Sequence, residues 1–191
     1  KISGGSLITK ILFENGINKA FCVPGESYLG ILEAIRLYKK KFDLIVCRHE
    51  GGASYMAEAY GRLTKMPGVC MVTRGPGACN AAIGVHTAYH EGTPMILFVG
   101  QVPVSSLKKN AFQAIDTDKV FKSLCKHSAT IRSPEKIKET IEKAIKISTE
   151  GKPGPVVISV PEDIQFAMVE STNVHKNRNT RSKLKSKKLS E

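Results

Sequence analysis

Aromatic residues and long hydrophobic runs are both scarce in this chain of 191 residues. Aromatic side chains make up 6% of the sequence against 41% for all apolar residues. This balance favours a core of Ile, Val, Leu and Ala over an aromatic-rich all-β shell. No apolar run approaches the ~20 residues of a membrane-spanning helix, and no secretory leader opens the sequence. The composition therefore predicts one domain with its own core and no membrane segment.

Cysteines are few and are not arranged for metal binding. No CxxC pair and no Cys/His cluster with ligand spacing occurs among Cys22, Cys47, Cys70, Cys79 and Cys125. Cys22, Cys47 and Cys70 lie inside apolar runs, where a thiol behaves as a small hydrophobic group. We expect buried, reduced cysteines, a cytoplasmic location and no metal held by this chain.

Acidic residues are outnumbered by basic ones, 17 against 29, and the formal net charge is +12. Residues 172–191 contain half of this excess, with seven basic residues against one acid, Glu191, and almost no apolar side chains. Such a segment is expected to be a disordered tail or a linker. We therefore place the folded domain at 1–166 and the basic tail at 167–191. Contact of the tail with nucleic acid is the less favoured alternative, because the predicted body shows no basic face with interleaved aromatics.

Helical and strand-like segments alternate along the body of the chain. Apolar strands are predicted at 19–23, 43–47, 68–73, 94–99, 128–132 and 156–160, and helices between them. Ser27 is expected to cap the second helix, and a polar loop is expected at 100–110. Continuous apolar strands separated by helices are typical of a buried parallel sheet. The predicted fold class is therefore α/β, with a doubly wound, mainly parallel sheet and helices on both faces.

In such a sheet, ligands bind beyond the carboxyl ends of the strands. Three strand-to-helix turns are unusual, at 23–26, 47–52 and 73–80. In the second turn, Glu50 stands at a helix N-terminus before Gly51 and Gly52, which allow close approach of a ligand. An acid at this position is also common without any function, since the helix dipole alone favours it by about 0.3–1 kcal/mol.

The third turn, Gly75-Pro76-Gly77-Ala78-Cys79-Asn80, has the pattern Gly-x-Gly-x-x-Asn. A dinucleotide fingerprint would end in Gly and would follow the first strand, so a Rossmann site is disfavoured. An anion could bind at the helix start, although Pro76 removes one amide donor.

Four histidines are further candidates for proton transfer: His49, His86, His90 and His127. No Ser or Cys nucleophile elbow accompanies them in the sequence. A catalytic pair of Cys and His would be separated along the chain, so this alternative stays open at a low weight.

Seven motifs occur in an order and at spacings that resemble the N-terminal domain of the acetolactate synthase group of thiamine-diphosphate enzymes. The similarity spans residues 4–165. The motifs are Phe21-Cys22-Val23-Pro24-Gly25, Arg48-His49-Glu50-Gly51-Gly52-Ala53, Ala57-Glu58-Ala59-Tyr60-Gly61-Arg62, Gly75-Pro76-Gly77-Ala78-Cys79-Asn80, Gly100-Gln101-Val102-Pro103, Ala111-Phe112-Gln113 and Gly154-Pro155-Val156-Val157.

The resemblance implies a role for each matching residue. Family enzymes hold thiamine diphosphate across a dimer interface, with its pyrimidine ring on this domain and its diphosphate on a second domain of the partner chain. Glu50 matches the glutamate that hydrogen-bonds a pyrimidine nitrogen and activates the cofactor, and Gln113 is the second expected catalytic residue. Phe112 and Gln113 match positions that face the substrate, a 2-keto acid. The expected cofactor-binding residues are Val23, Pro24, Gly25, Glu50, Pro76 and Asn80.

Several positions depart from the pattern of acetolactate synthases and bear on the substrate. Val23 stands where those enzymes usually carry Tyr, and Glu26-Ser27 replaces a small Gly-Ala pair. Ala114 follows Phe-Gln where Glu is usual, and Glu162 stands where Lys is usual. The cofactor role is expected to survive these changes.

The Gly-Asp-Gly stretch that binds magnesium and the diphosphate in this superfamily does not occur in the sequence. The length also leaves no room for the central domain that carries FAD in the synthases. We expect Mg²⁺ to be held by a diphosphate-binding domain outside this chain, and FAD use stays open. Two arrangements follow: part of a three-domain homodimer, or a separate subunit of a split 2-keto acid decarboxylase that pairs with a diphosphate-binding subunit. A non-catalytic binding module that uses the basic tail is the third alternative.

Overall fold

A computed structural model describes residues 1–38 and 41–171 of the chain. The predicted tail from residue 172 onward lies outside the described residues, and its character stays a prediction. Among the described residues, no helix combines the length and the apolar character needed to cross a membrane.

Residues 1–38 and 41–171 contain eight strands, and six of them form one parallel sheet in the order β3-β2-β4-β5-β7-β6. The strands are β1 (Ile2–Ser3), β2 (Lys19–Cys22), β3 (Asp43–Val46), β4 (Gly68–Thr73), β5 (Met95–Gln101), β6 (His127–Thr130), β7 (Pro155–Pro161) and β8 (Met168–Val169). The central strands β5 and β7 are buried along their whole length, which explains why they have no polar alternation.

Helices cover both faces of this sheet: α1 (Gly4–Glu14), α2 (Leu29–Leu37), α3 (Glu50–Thr64), α4 (Arg74–Glu91), α5 (Thr117–Val120), α6 (Ile137–Thr149) and α7 (Glu162–Phe166). Leu and Ile side chains of α1, α2 and α6 pack with the sheet into one core. Small residues of α3 and α4, mostly Ala, form the second core on the other face. The predicted α/β class and the doubly wound arrangement are confirmed.

Two local predictions are wrong. Ser27 does not cap α2, because it lies in a 3₁₀ turn, Glu26–Tyr28, and α2 begins after it without a side-chain cap. The segment 100–110 is not a loop throughout, since Gly100 and Gln101 belong to β5 and a 3₁₀ turn covers Val104–Ser106.

Short elements close the two ends of the described chain against each other. β8 pairs with β1 in antiparallel fashion, with Ile2 opposite Val169 and Ser3 opposite Met168. Sequence periodicity does not reveal strands of two residues, because each is defined by its partner more than 160 positions away. The paired residues Met168 and Val169 lie within the segment 167–191 that was expected to be the tail.

Candidate active site

The three unusual turns meet at one edge of the sheet. β2 lies between β3 and β4, so the turns that follow these three parallel strands are neighbours at their carboxyl ends. This edge is where α/β folds bind ligands. The topology therefore brings Pro24-Gly25, Glu50 and the start of α4 together from segments that are separate in the sequence.

A carboxylate and an amide lie in direct contact at the centre of this edge. Asn80 Nδ2 of α4 donates a hydrogen bond of 2.9 Å to Glu50 Oε2 at the start of α3. The other carboxylate oxygen, Oε1, faces Gly77, where an added Cβ would lie 3.5 Å from it. Asn80 thus orients the carboxylate through one oxygen, while the absence of a side chain at Gly77 leaves room beside the other.

The helices that carry these two residues approach each other closely. An added Cβ at Gly84 of α4 would lie 2.4 Å from Ser54 Oγ and 2.7 Å from Ser54 C, in α3. At the far end of α3, the buried Glu58 carboxylate accepts hydrogen bonds of 2.9 Å from both Arg62 Nε and Thr93 Oγ1. The motif at 57–62 therefore contributes to packing, and this packing fixes the distance between Glu50 and Asn80.

The turn after β2 is held from two sides. The buried Tyr28 hydroxyl donates a hydrogen bond to the Val23 carbonyl. Burial, followed by the nearby Cys22 thiol, raises the pKa of Tyr28 well above its usual value, so the hydroxyl keeps its proton. Gly25 lies against Thr73, whose Oγ1 would be 1.6 Å from an added Cβ. Only glycine therefore fits at position 25 without moving the end of β4.

Gln113 and Phe112 reach this edge from the segment after β5. The Gly75 amide donates a hydrogen bond of 2.8 Å to the Gln113 carbonyl, which ties this segment to the start of α4. The buried Gln101 side chain donates a hydrogen bond of 3.0 Å to the Ile115 carbonyl. Phe112 is 74% exposed beside these anchors. The sequence singled out Gln101 only as part of a motif, and its anchoring role becomes visible in the fold.

Arg74 also lies at this edge, although it was not among the site residues predicted from the sequence. Its side chain is 9% exposed, and its guanidinium forms ion pairs with Glu26 at 3.2 Å and Glu162 at 3.8 Å. The only signal in the sequence is an arginine directly before Gly-Pro-Gly, while both partners occur far away along the chain. Pro76 follows it as an exposed residue in the first turn of α4, where a missing amide proton is tolerated.

The four candidate histidines of the described residues lie in three different settings, and their roles in proton transfer stay a prediction. His49 Nδ1 accepts a hydrogen bond of 3.0 Å from the Gly51 amide and so caps α3. His86 and His90 lie side by side on α4, with ring centroids 4.5 Å apart and ring planes tilted by 46°. His127 lies in the edge strand β6, where burial and then Lys143 lower its pKa. None of these contacts pairs a histidine side chain with a cysteine thiol.

Three of the five cysteines are buried. Cys22, Cys70 and Cys125 are buried, as expected for the first two, whereas Cys47 is half-buried and Cys79 is exposed. Burial raises the pKa of Cys22 and of Cys125 to about 11. A thiol with a raised pKa is a poor nucleophile. Residues 1–38 and 41–171 contain no group of three His, Cys, Asp or Glu side chains that could hold a metal ion.

Comparison with known proteins agrees with this geometry. Residues 2–120 match the family described as "Thiamine pyrophosphate enzyme, N-terminal TPP binding domain". The mitochondrial acetolactate synthase catalytic subunit of Saccharomyces cerevisiae is 35% identical over 170 residues, covering 89% of this chain and 25% of that protein. The acetolactate synthase large subunit of Haemophilus influenzae is 37% identical, and the isozyme 3 large subunit of Escherichia coli is 36% identical. Both of these alignments cover 85% of this chain and 28% of the relative, so the chain spans little more than a quarter of its relatives' length.

Proposed function

Because the chain belongs to the thiamine pyrophosphate enzymes, as their N-terminal TPP binding domain, we propose that it forms the pyrimidine-binding half of a thiamine-diphosphate site. Thiamine diphosphate is another name for the same cofactor. The complete enzyme is proposed to be acetolactate synthase-like and to act on 2-keto acids by decarboxylation and carboligation. The observation that carries the proposal is the Glu50 carboxylate, oriented by Asn80 and facing a glycine at the carboxyl edge of the sheet.

The residues at this edge fit the pyrimidine half of the cofactor. A ring nitrogen can pair with Glu50 Oε1, since Oε2 is the oxygen bound to Asn80. Gly77 leaves space beside that oxygen, and Gly25 brings the Val23-Pro24 turn close to the same edge. Val23, Pro24 and Pro76 then supply apolar contacts to an aromatic ring, which is how small-molecule sites are usually lined.

When bound, thiamine diphosphate supplies a nucleophilic carbon and an electron sink for the decarboxylation of a 2-keto acid. Glu50 Oε1 would hold the proton shared with the pyrimidine ring, while the amide of Asn80 orients the carboxylate through Oε2. Gln113 and Phe112 contact the substrate from the loop anchored by Gly75 and Gln101. The chain thus positions one end of the cofactor and supplies its proton relay.

The other half of the site is proposed to come from outside this chain. Mg²⁺ and the diphosphate are assigned to a diphosphate-binding domain, either of a second copy in a homodimer or of a separate partner subunit. FAD would require a further domain. The cytoplasmic location expected from the sequence stays a prediction, and one similar yeast protein is named as mitochondrial.

The Glu50→Gln variant tests the proposed role in the assembled holoenzyme. The amide keeps the size of the side chain but cannot take up the proton, and loss of such a proton relay lowers turnover by about 10²–10⁴-fold. We expect thiamine-dependent consumption of a 2-keto acid such as pyruvate to fall to this extent. Glu135→Gln is the matched control, because Glu135 is exposed in the 3₁₀ turn Pro134–Lys136 and should leave turnover unchanged. Wild-type turnover in Glu50→Gln would refute the assignment.

A further inference from the structure

Arg74 occupies a position that is unfavourable both for a charged side chain and for the backbone of a residue with a Cβ. Its side chain is 9% exposed, and its Nε is buried without a hydrogen-bond partner among the described residues. Its φ angle is 44°, in the left-handed region that residues with a Cβ rarely adopt. A buried cation on a strained backbone requires a compensating interaction, and the structure shows where this interaction lies.

Two carboxylates from different turns flank the guanidinium. Glu26 Oε1 lies 3.2 Å from one terminal nitrogen of Arg74, and Glu162 Oε2 lies 3.8 Å from the other. Glu26 follows β2, Arg74 follows β4 and Glu162 follows β7. We call these three residues the Arg74 clamp. The planar fork of arginine can engage two carboxylates in this way, whereas lysine offers a single point charge.

The clamp holds a turn that lies across the end of β5. Ser27 of the 3₁₀ turn lies directly over Gly100, where an added Cβ would be 2.4 Å from Ser27 Oγ. Gln165 Nε2 donates a hydrogen bond of 2.8 Å to the Ser27 carbonyl. The turn that continues Val23-Pro24-Gly25 is therefore anchored by Glu26 at one end and by Ser27 in its middle.

The two ion pairs of Arg74 are expected to contribute little to the stability of the fold. Glu26 has a side chain that is 70% exposed, and that of Glu162 is 34% exposed, so water screens both ion pairs. Burying a guanidinium carries a desolvation cost that such pairs often fail to recover. Ion pairs of this kind are better suited to fixing the relative position of the elements that they join.

We propose that Arg74 is a positioning residue of the cofactor site. With Glu26 and Glu162, it fixes the turn at 23–28 against the first turn of α4, so that the pocket around Glu50 is formed before the pyrimidine ring binds. This inference rests on the proposed function. Glu26 and Glu162 are both among the positions at which this chain departs from the usual acetolactate synthase pattern.

Two variants of the assembled holoenzyme, Arg74→Gly and Arg74→Ala, distinguish the effect of losing the guanidinium from the effect of backbone strain. Glycine adopts the left-handed conformation without strain, whereas alanine retains the strain, and both remove the guanidinium. We expect both variants to raise the thiamine diphosphate concentration for half-maximal activity about tenfold, the effect of losing one charge-assisted contact. Turnover at saturating cofactor should stay within about twofold of wild type, because Glu50 and Asn80 are intact.

Glu162→Gln removes one arm of the Arg74 clamp and keeps Arg74, so it tests the proposal even if the Arg74 variants do not fold. It should raise the half-saturating cofactor concentration about threefold, the weaker effect expected for a half-exposed pair. Glu33→Gln is the matched control, since Glu33 forms an exposed ion pair with Arg36 on α2 at 2.7 Å. Wild-type cofactor affinity in a folded Arg74→Gly or in Glu162→Gln would overturn the proposal. A wild-type enzyme that needs no thiamine diphosphate would instead overturn the proposed function.

Discussion

The spacing of α3 and α4 sets the distance between Glu50 and Asn80, and Gly84→Ala tests this spacing. The new Cβ would lie 2.4 Å from Ser54 Oγ, which can rotate away, and 2.7 Å from Ser54 C, which belongs to the backbone of α3. The two helices must therefore separate. Overpacking of this kind costs about 1–3 kcal/mol, and the better helix propensity of Ala returns about 1 kcal/mol. Because a backbone atom is displaced, we take the upper part of the overpacking range, about 2–3 kcal/mol, so the free energy of unfolding should fall by about 1–2 kcal/mol in total.

Urea denaturation of the chain, followed by far-UV circular dichroism, measures this loss. Gly52→Ala is the matched control, because it makes the same change in α3 at a site with nothing within 4 Å of the added Cβ. This control should gain about 0.5–1 kcal/mol from the lower backbone entropy of the unfolded chain. If Gly84→Ala unfolds at the same urea concentration as wild type or a higher one, the close helix contact does not constrain the site.

Two further predictions concern buried polar groups. Tyr28→Phe removes the hydrogen bond to the Val23 carbonyl and should lower the free energy of unfolding by about 1 kcal/mol. Tyr38→Phe is the control. An unchanged urea midpoint in Tyr28→Phe would contradict this prediction. Burial raises the pKa of Cys22 and Cys125 from 9.0 to about 11, so the folded chain retains protons that the unfolded chain releases. Their contribution to stability should be complete below pH 9 and lost as the pH rises toward 11. A Cys22→Ala, Cys125→Ala double variant should show a flatter decline in urea titrations over this range, and an equally steep decline would count against the buried thiols.

The strands of the sheet could be predicted well where burial is complete. The strand expected at 68–73 coincides with β4, because its fully buried positions 69–72 form a continuous apolar run. The start of α4 was harder to predict. Gly75-Pro76-Gly77 is typical of a turn, yet these residues lie in the first helical turn, where amide protons need no partner within the helix.

The Arg74 clamp could not be predicted, because its parts are separated by 48 and 88 positions along the chain and meet only through the order of the strands. Ion pairs of this range leave no periodic signal in a sequence. The contact between Glu50 and Asn80 is similar in this respect, although the resemblance to known enzymes had marked both residues as neighbours of one ring. The spacing of the motifs predicted which residues belong to the site, whereas the order of the strands determines which of them are in contact.

Glycines allow the close contacts between elements that bring the residues of the candidate site together at this edge. Gly25 against Thr73, Gly84 against Ser54 and Gly100 against Ser27 are approaches that no side chain would allow without displacing a neighbour. Each one fixes the distance between two elements that carry residues of the proposed site. A carboxylate and an amide at positions 50 and 80 would be two unrelated surface groups if these approaches were lost. The chemical meaning of Glu50 therefore depends as much on close backbone contacts as on the acid itself, and a chain that kept Glu50 and Asn80 but lost these glycines should lose cofactor binding first.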